Sequence, residues 1–172
     1  FLAQAKRDKT FDKVYMITPS FASNRAYFGK YVNEEEDVYE PTKDSICKVI
    51  KRVEADRDAW EEYVEKLKRY KEFKKEIKHR PLANYADDEL LYHYESGHME
   101  KPTYEYKEPV KSVLILDDCL GSPAILQSSG LGRIASLNRH IAPLKEEYNG
   151  RSACGLAVIV LSQSYRMQNG PA

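Results

Sequence analysis

The chain has 172 residues, of which 27 are basic and 27 acidic, so its formal net charge at pH 7 is zero. This length suits one domain with a sizeable core, and the balanced charge excludes nucleic-acid binding through bulk charge alone. Three cysteines match no zinc or redox spacing, and no apolar run approaches the roughly 20 residues that cross a bilayer. We therefore expect a soluble α/β protein without a membrane-spanning segment.

The first part of the chain predicts two helices and a strand. Residues 1–9 are apolar early and basic late, which is typical of the last turns of a helix. Residues 13–18 predict a core strand that Pro19 stops, and residues 22–32 predict a short helix. The acidic run 34–37 is interpreted as a solvated loop.

Residues 42–78 predict one long helix with Thr42 as its N-cap. Apolar residues recur with a period of seven, which is typical of an amphipathic helix or a coiled-coil-like hairpin. The pattern consists of Ile46, Val49, Val53, Trp60, Tyr63, Leu67, Tyr70 and Ile77, and is interrupted by Asp56 and Lys74. Because an unbroken helix of this length exceeds the width of most domains, we expect it to project, to bend back on itself or to pack along one side of the sheet. We also expect it to be peripheral to the motor core. Its basic second half favours a solvated face with i,i+4 ion pairs over a contact with DNA phosphates.

Residues 112–118 are the stretch on which the functional interpretation depends. Four apolar residues, 113–116, predict a strand buried on both faces, as in a parallel sheet. Asp117 and Asp118 follow directly, and ligands of open α/β sheets bind at the carboxyl ends of strands. Two acids there are placed to hold a hydrated Mg²⁺ and to orient or deprotonate a water. The alternative is that they cap the next helix or solvate a turn.

A third apolar strand, predicted at residues 156–161, ends in Ser162 and Gln163. These lie at the same predicted edge as the two aspartates, where an amide can orient the attacking water or sense the γ-phosphate. Apolar strands separated by helical segments predict a parallel sheet with right-handed crossovers. The remaining predicted elements are helices at 87–96, 123–127 and 131–137, a connector at 101–109 and a turn at 149–152.

The order of these segments resembles the genome-packaging ATPases of large DNA viruses, which include the poxvirus packaging ATPase and belong to the FtsK/HerA branch of P-loop motors. The resemblance rests on residues 13–20, Leu114-Ile115-Leu116-Asp117-Asp118, Asn138-Arg139-His140 and residues 158–166. It implies a P-loop NTPase-type parallel sheet flanked by helices. Residues 1–172 would then form a partial ATPase domain with a helical insertion at 34–108.

By the same resemblance, Asp117 binds Mg²⁺ and the nucleotide, and Asp118 activates the water. Gln163 would be the phosphate sensor, with Ser162 beside it at the nucleotide. Arg139 would be a catalytic arginine acting in trans, whereas His140 is better explained as a helix-end histidine with a structural bond. The implied cofactors are Mg²⁺ and ATP.

The resemblance implies ATP-driven translocation of viral double-stranded DNA into capsids. The expected partners are double-stranded DNA, capsid or portal proteins and further copies of the chain in a ring, in the virion or the host cytoplasm. No G-x-x-x-x-G-K-S/T phosphate loop occurs, and the chain begins without Met. We therefore expect an inactive fragment cut just after that loop, incomplete in its P-loop strand and open at one apolar sheet edge.

Two other function classes remain open. One is a non-catalytic interaction or scaffold protein that uses the long helix and keeps the sheet as support. The other is a different ATPase with the same strand order, such as a helicase or a terminase.

Overall fold

The computed structural model describes residues 10–119 and 121–161. The chain divides into two compact units, the first formed by Phe1–Arg57 with Pro109–Ala172 and the second by Asp58–Glu108. The insertion was predicted at residues 34–108, and the second unit begins later, at Asp58.

The described elements follow one another as α/β units with a late hairpin. In chain order they are β1 (Lys13–Ile17), α1 (Phe21–Phe28), α2 (Glu34–Asp37), β2 (Val38–Tyr39), α3 (Ser45–His79), α4 (Asp87–Glu95), β3 (Ser112–Asp117), α5 (Pro123–Leu126), α6 (Ser129–Leu137), β4 (Pro143–Tyr148), β5 (Arg151–Ala153) and β6 (Leu156–Leu161), with 3₁₀ turns at Leu82–Asn84 and Asn138–His140.

The first unit is built on a four-stranded sheet in the order β2-β1-β3-β6, and every pair in it is parallel. Ser112 at the start of β3 pairs with Lys13 and Leu156, and Asp117 at its end pairs with Leu161. The predicted α/β class, the parallel sheet with its flanking helices and the long helix are therefore confirmed. Among the described strands, β6 is an edge strand that pairs only with β3.

Both faces of the sheet are covered, as the continuous apolar strands require. Successive side chains of a strand point to opposite faces, so Tyr15 and Ile17 enter one core cluster while Met16 enters the other. In β3 the same alternation separates Leu114 and Leu116 from Ile115. The central strand is consequently buried along its whole length.

The start of α3 belongs to the main core of the first unit. Its residues Ile46, Val49, Ile50 and Val53 are buried in the same cluster as the inward side chains of β1 and β3. The expectation of a peripheral helix is therefore wrong for these first turns. The helical spacing of the apolar residues was correct, but period alone does not reveal which surface they cover.

Asp56 interrupts the apolar pattern of α3 because it binds two side chains of β1. Its Oδ1 lies 2.6 Å from Nζ of Lys13, and its Oδ2 accepts a hydrogen bond from the Tyr15 hydroxyl at 3.2 Å. Burial, with the Asp56 carboxylate beside it, raises the pKa of Tyr15 far above its usual value, so the phenol stays protonated. A polar residue at this helical position thus ties α3 to the sheet.

Two predicted boundaries before α3 differ from the structure. The acidic run 34–37 is the one-turn helix α2 rather than a loop, and the Asn33 side chain accepts a hydrogen bond from the Glu35 main-chain N–H. Acidic side chains suit the positive end of a helix dipole, which explains the difference. α3 begins at Ser45 rather than after Thr42, whose hydroxyl lies 2.7 Å from the Ser45 hydroxyl.

The antiparallel hairpin β4–β5 was predicted only as a turn. Asn149 and Gly150 adopt φ values of 48° and 80°, as a two-residue Asn-Gly hairpin turn requires. β4 carries few apolar residues and is mostly exposed, so its sequence lacks the alternation that predicts a strand.

The second unit contains the remaining part of α3 and the whole of α4. Aromatic side chains make many of its contacts. Trp60 and Tyr63 both contact Tyr104, and Phe73 contacts Tyr85 and His93. The predicted i,i+4 ion pairs Glu62–Lys66 and Glu65–Arg69 are confirmed on the α3 surface. No helix in the described part of the chain is long and apolar enough to span a membrane.

Candidate functional site

The carboxyl edge of the sheet brings three polar side chains together. Asp117 is the last residue of β3 and only 6% exposed. Its Oδ2 accepts hydrogen bonds from the Thr18 hydroxyl at 3.0 Å and from the Asn24 side-chain amide at 2.9 Å. Thr18 follows β1 and Asn24 lies in α1, so the parallel pairing of β1 with β3 makes this contact.

The buried Asp117 carboxylate has no cationic partner within the part of the chain that the structure describes. Among residues 10–119 and 121–161, no lysine, arginine or histidine forms an ion pair with it, and both of its donors are neutral. Burying a charge is costly unless it is paired or hydrogen-bonded. Its described hydrogen-bond partners are two neutral donors, and a cation at this carboxylate would add an attractive charge interaction.

Asp118 has a different environment from Asp117. It is exposed and has a φ of 49°, which lies in the left-handed region that non-glycine residues seldom adopt. Its main-chain N–H donates to the carbonyl of Leu161 at 2.8 Å, which extends the pairing of β3 with β6 by one bond. The side chain can therefore contact solvent while its backbone stays anchored to the sheet.

Cys119, the next residue, is not a nucleophile. Its side chain is buried, and burial, with smaller contributions from Asp117 and Asp118, raises the pKa of its thiol to about 11. The thiolate is the reactive form of cysteine, so a thiol that stays protonated at neutral pH is inert.

The structure does not bring Arg139 or His140 to these aspartates. Both lie in the 3₁₀ turn before β4, beside Ser112 and Leu156 at the amino ends of β3 and β6. A six-residue strand is about 16 Å long, which separates the two edges of the sheet. A trans role for Arg139 stays a prediction. Ser162 and Gln163 lie outside the described residues, so the predicted sensor does too.

Sequence reasoning missed Thr18 and Asn24. Thr18 had a usable signal, since it is a polar residue directly after an apolar strand, the same feature that drew attention to Asp117. Asn24 had none, because it lies inside a helix with no distinct pattern and reaches the site only through tertiary packing.

The chemistry available at this edge is acidic. Asp117 and Asp118 place two carboxylates there that could hold a cation or take a proton. No cluster of three or more His, Cys, Asp or Glu residues occurs in the described part of the chain. No protein-family model, no curated protein and no solved structure matches the chain.

Proposed function

We propose that this chain carries the magnesium-binding and water-activating acids of an ATPase, and that the protein is a DNA translocase of the packaging type. The observation that carries the proposal is the buried Asp117 carboxylate at the carboxyl end of a central parallel strand. Ligands of open α/β sheets bind at this edge. The exposed Asp118 directly after it supplies a second carboxylate of different character.

The donor set fits Mg²⁺. This ion is usually bound through one or two carboxylates and completes its octahedral shell with water and substrate phosphates, so a larger protein cluster is not needed. Asp117 would hold the ion, and Thr18 and Asn24 would fix the orientation of its carboxylate. When bound, the ion would offset charge on the phosphates of the nucleotide.

Asp118 would act on the water. Its exposed carboxylate can accept a proton, and general-base help is typically worth about 100- to 10,000-fold in rate. The left-handed backbone at Asp118 turns the chain immediately after the strand, so its side chain leaves the buried environment of Asp117. The two acids are thereby suited to different roles.

The wider proposal follows from the resemblance. The motor would use ATP and Mg²⁺ to move double-stranded DNA, as a homo-oligomeric ring with capsid or portal proteins as partners, in the virion or the host cytoplasm. The unpaired edge of β6 among the described strands supports it, because a further parallel strand can pair there. A helicase or a terminase would use the same acids in the same way.

One observation favours an interaction or scaffold protein as a second candidate. α4 exposes the large apolar side chains of Leu91, Tyr92 and Tyr94 on one short helix. Exposed apolar groups that cluster are typical of surfaces that bind another protein. In this alternative the acids at the end of β3 would have no catalytic part.

The test is magnesium-dependent ATP hydrolysis by the natural protein and its variants. Asp118→Asn should lower the turnover rate about 100- to 10,000-fold and leave nucleotide affinity nearly intact. Asp117→Asn should also weaken magnesium-nucleotide binding, because it removes charge from the ion's own shell. Gln163→Ala should resemble Asp118→Asn.

Glu146→Gln is the matched control, since it removes one exposed carboxylate from β4. It should keep the parent rate and affinity. If Asp118→Asn hydrolysed ATP at the parent rate, the general base would be a residue other than Asp118. If the natural protein had no ATPase activity, the scaffold alternative would be favoured.

A further inference from the structure

The second half of α3 carries a compact group of exposed lysines, which we call the lysine patch. It lies in the second unit and consists of Lys71, Lys74, Lys75 and Lys78. Residues three or four apart are neighbours on a helix surface, and each patch lysine has two patch neighbours at such a spacing. The patch is therefore one continuous cationic surface about 10 Å long, at roughly 1.5 Å per residue.

The ion pairs on the α3 surface do not neutralise the lysine patch. The confirmed pairs use Lys66 and Arg69, which are not part of it. Within residues 10–119 and 121–161, none of the four patch lysines forms an ion pair. Glu72 is the only acid of α3 three or four residues from a patch lysine, Lys75, and the two do not pair. The solvated face with i,i+4 ion pairs therefore does not account for the patch.

The patch places like charges next to one another, which costs helix stability. Like charges four residues apart on a helix repel, and the pairs Lys71–Lys75 and Lys74–Lys78 have this spacing. The helix dipole favours cations only in the last turn, so it offsets the charge of Lys78 but not that of Lys71. Cations that are held together without acids attract polyanions. A bound polyanion would relieve the repulsion.

The side chains around the patch indicate which polyanion fits it. A helix that binds a lipid surface exposes large apolar side chains beside its basic face. Between residues 66 and 79 of α3 no such side chain is exposed, and the Phe73 ring packs against Tyr85 and His93 instead. Bases of a single strand stack on exposed aromatic rings, which the same stretch also lacks. A duplex, which presents its phosphates outward, needs neither feature.

From these observations we infer that the lysine patch binds the phosphate backbone of double-stranded DNA without sequence preference. A duplex carries one negative charge per roughly 1.7 Å of its axis, so a patch about 10 Å long meets several phosphates at once. Lysine ammonium groups contact phosphates as point charges, and such contacts carry no sequence information. The choice of DNA over RNA rests on the proposed translocase function, whereas the choice of a duplex rests on the patch itself.

Fluorescence anisotropy of a short labelled DNA duplex of random sequence, titrated with the natural protein without nucleotide, tests this inference. The dissociation constant should be about 10⁻⁶ to 10⁻⁴ M at physiological salt and should rise with salt. Replacing all four patch lysines by glutamine should lower the slope of log affinity against log salt concentration by about 2–4, because each lost phosphate contact removes roughly 0.9.

A pair of double variants provides the matched control. Lys71→Gln with Lys74→Gln, and Lys48→Gln with Lys51→Gln, each remove two exposed cations three residues apart from α3. The first double variant should lower the salt slope by about 1–2, and the second should leave it unchanged. Glutamine and lysine have similar helix propensities, and less repulsion between lysines should keep thermal stability equal or raise it. A loss of affinity would therefore report binding rather than unfolding.

Equal salt slopes of the four-lysine variant and the parent would overturn the inference, and so would an equal loss in the Lys48 and Lys51 control. Patch-dependent binding of an RNA duplex, phosphatidylserine vesicles or polyglutamate, without binding of the DNA duplex, would overturn it as well. Patch-dependent DNA binding by a natural protein that hydrolyses no ATP would refute the proposed ATPase and support the lysine patch. ATP hydrolysis without duplex binding would do the reverse.

Discussion

Gly130 and Gly132 form a matched pair that tests how α6 packs on α3. Both glycines lie in α6, so replacement by alanine favours the helix at each position. A Cβ at Gly130 would lie 2.7 Å from Cγ2 and 2.9 Å from Cβ of Ile46, and 3.2 Å from the Cys47 main-chain nitrogen. A Cβ at Gly132 would meet no atom within 4 Å.

The magnitude follows from these distances. Alanine is worth about 0.8–1.0 kcal/mol over glycine inside a helix, so Gly132→Ala should raise the free energy of unfolding by up to that amount. Gly130→Ala must displace Ile46, which is fully buried against the sheet, and overpacking a core costs roughly 1–3 kcal/mol. Since alanine favours the helix in both variants, their stabilities should differ by about 1–3 kcal/mol.

Urea unfolding followed by far-ultraviolet circular dichroism measures this difference. With a slope of about 2 kcal/mol per molar urea, the midpoint of Gly130→Ala should lie roughly 0.5–1.5 M below that of Gly132→Ala. If Gly130→Ala proved as stable as Gly132→Ala, α6 would not contact the first turns of α3 as the structure has it.

Two further changes address the core and the second unit. Ile50→Ala should cost about 2–5 kcal/mol in urea unfolding because Ile50 is 1% exposed in the main core, whereas Lys51→Ala on the exposed side should change stability by less than about 0.5 kcal/mol. Equal stabilities would show that α3 does not cover the sheet. Burial lowers the pKa of His98, and the adjacent His93 lowers it further. The Nδ1 atoms of the two rings lie 3.0 Å apart. The unfolded state therefore binds a proton more readily, so stability should fall as pH drops below about 6.5. The melting temperature, measured between pH 5 and pH 8, should fall less steeply toward acid pH in His98→Gln than in the parent. His79→Gln, which changes an exposed histidine, is the control and should behave as the parent does. Parallel curves for His98→Gln and the parent would contradict this expectation.

Part of the candidate site could be predicted from local pattern alone. Asp117 follows an apolar run that predicts a buried strand. The last residue of such a strand lies at the carboxyl edge of an α/β sheet, where ligands bind. The two donors that hold its carboxylate come from 99 and 93 residues away in the chain. No local pattern carries that information. The same limit applies to Arg139. Its position in the sequence before β6 is compatible with either edge of the sheet.

By itself the sequence determined the elements whose periodicity is strong and local. These are the continuous apolar strands β1, β3 and β6, and the long helix α3, because burial on both faces and a regular apolar stripe leave direct marks in the residue order. Only the tertiary structure decided which surfaces meet. Parallel pairing brought Thr18 to Asp117, and the chain's return before β6 set Arg139 beside Ser112. Contacts between residues distant in sequence depend on strand order and register, which no single segment encodes.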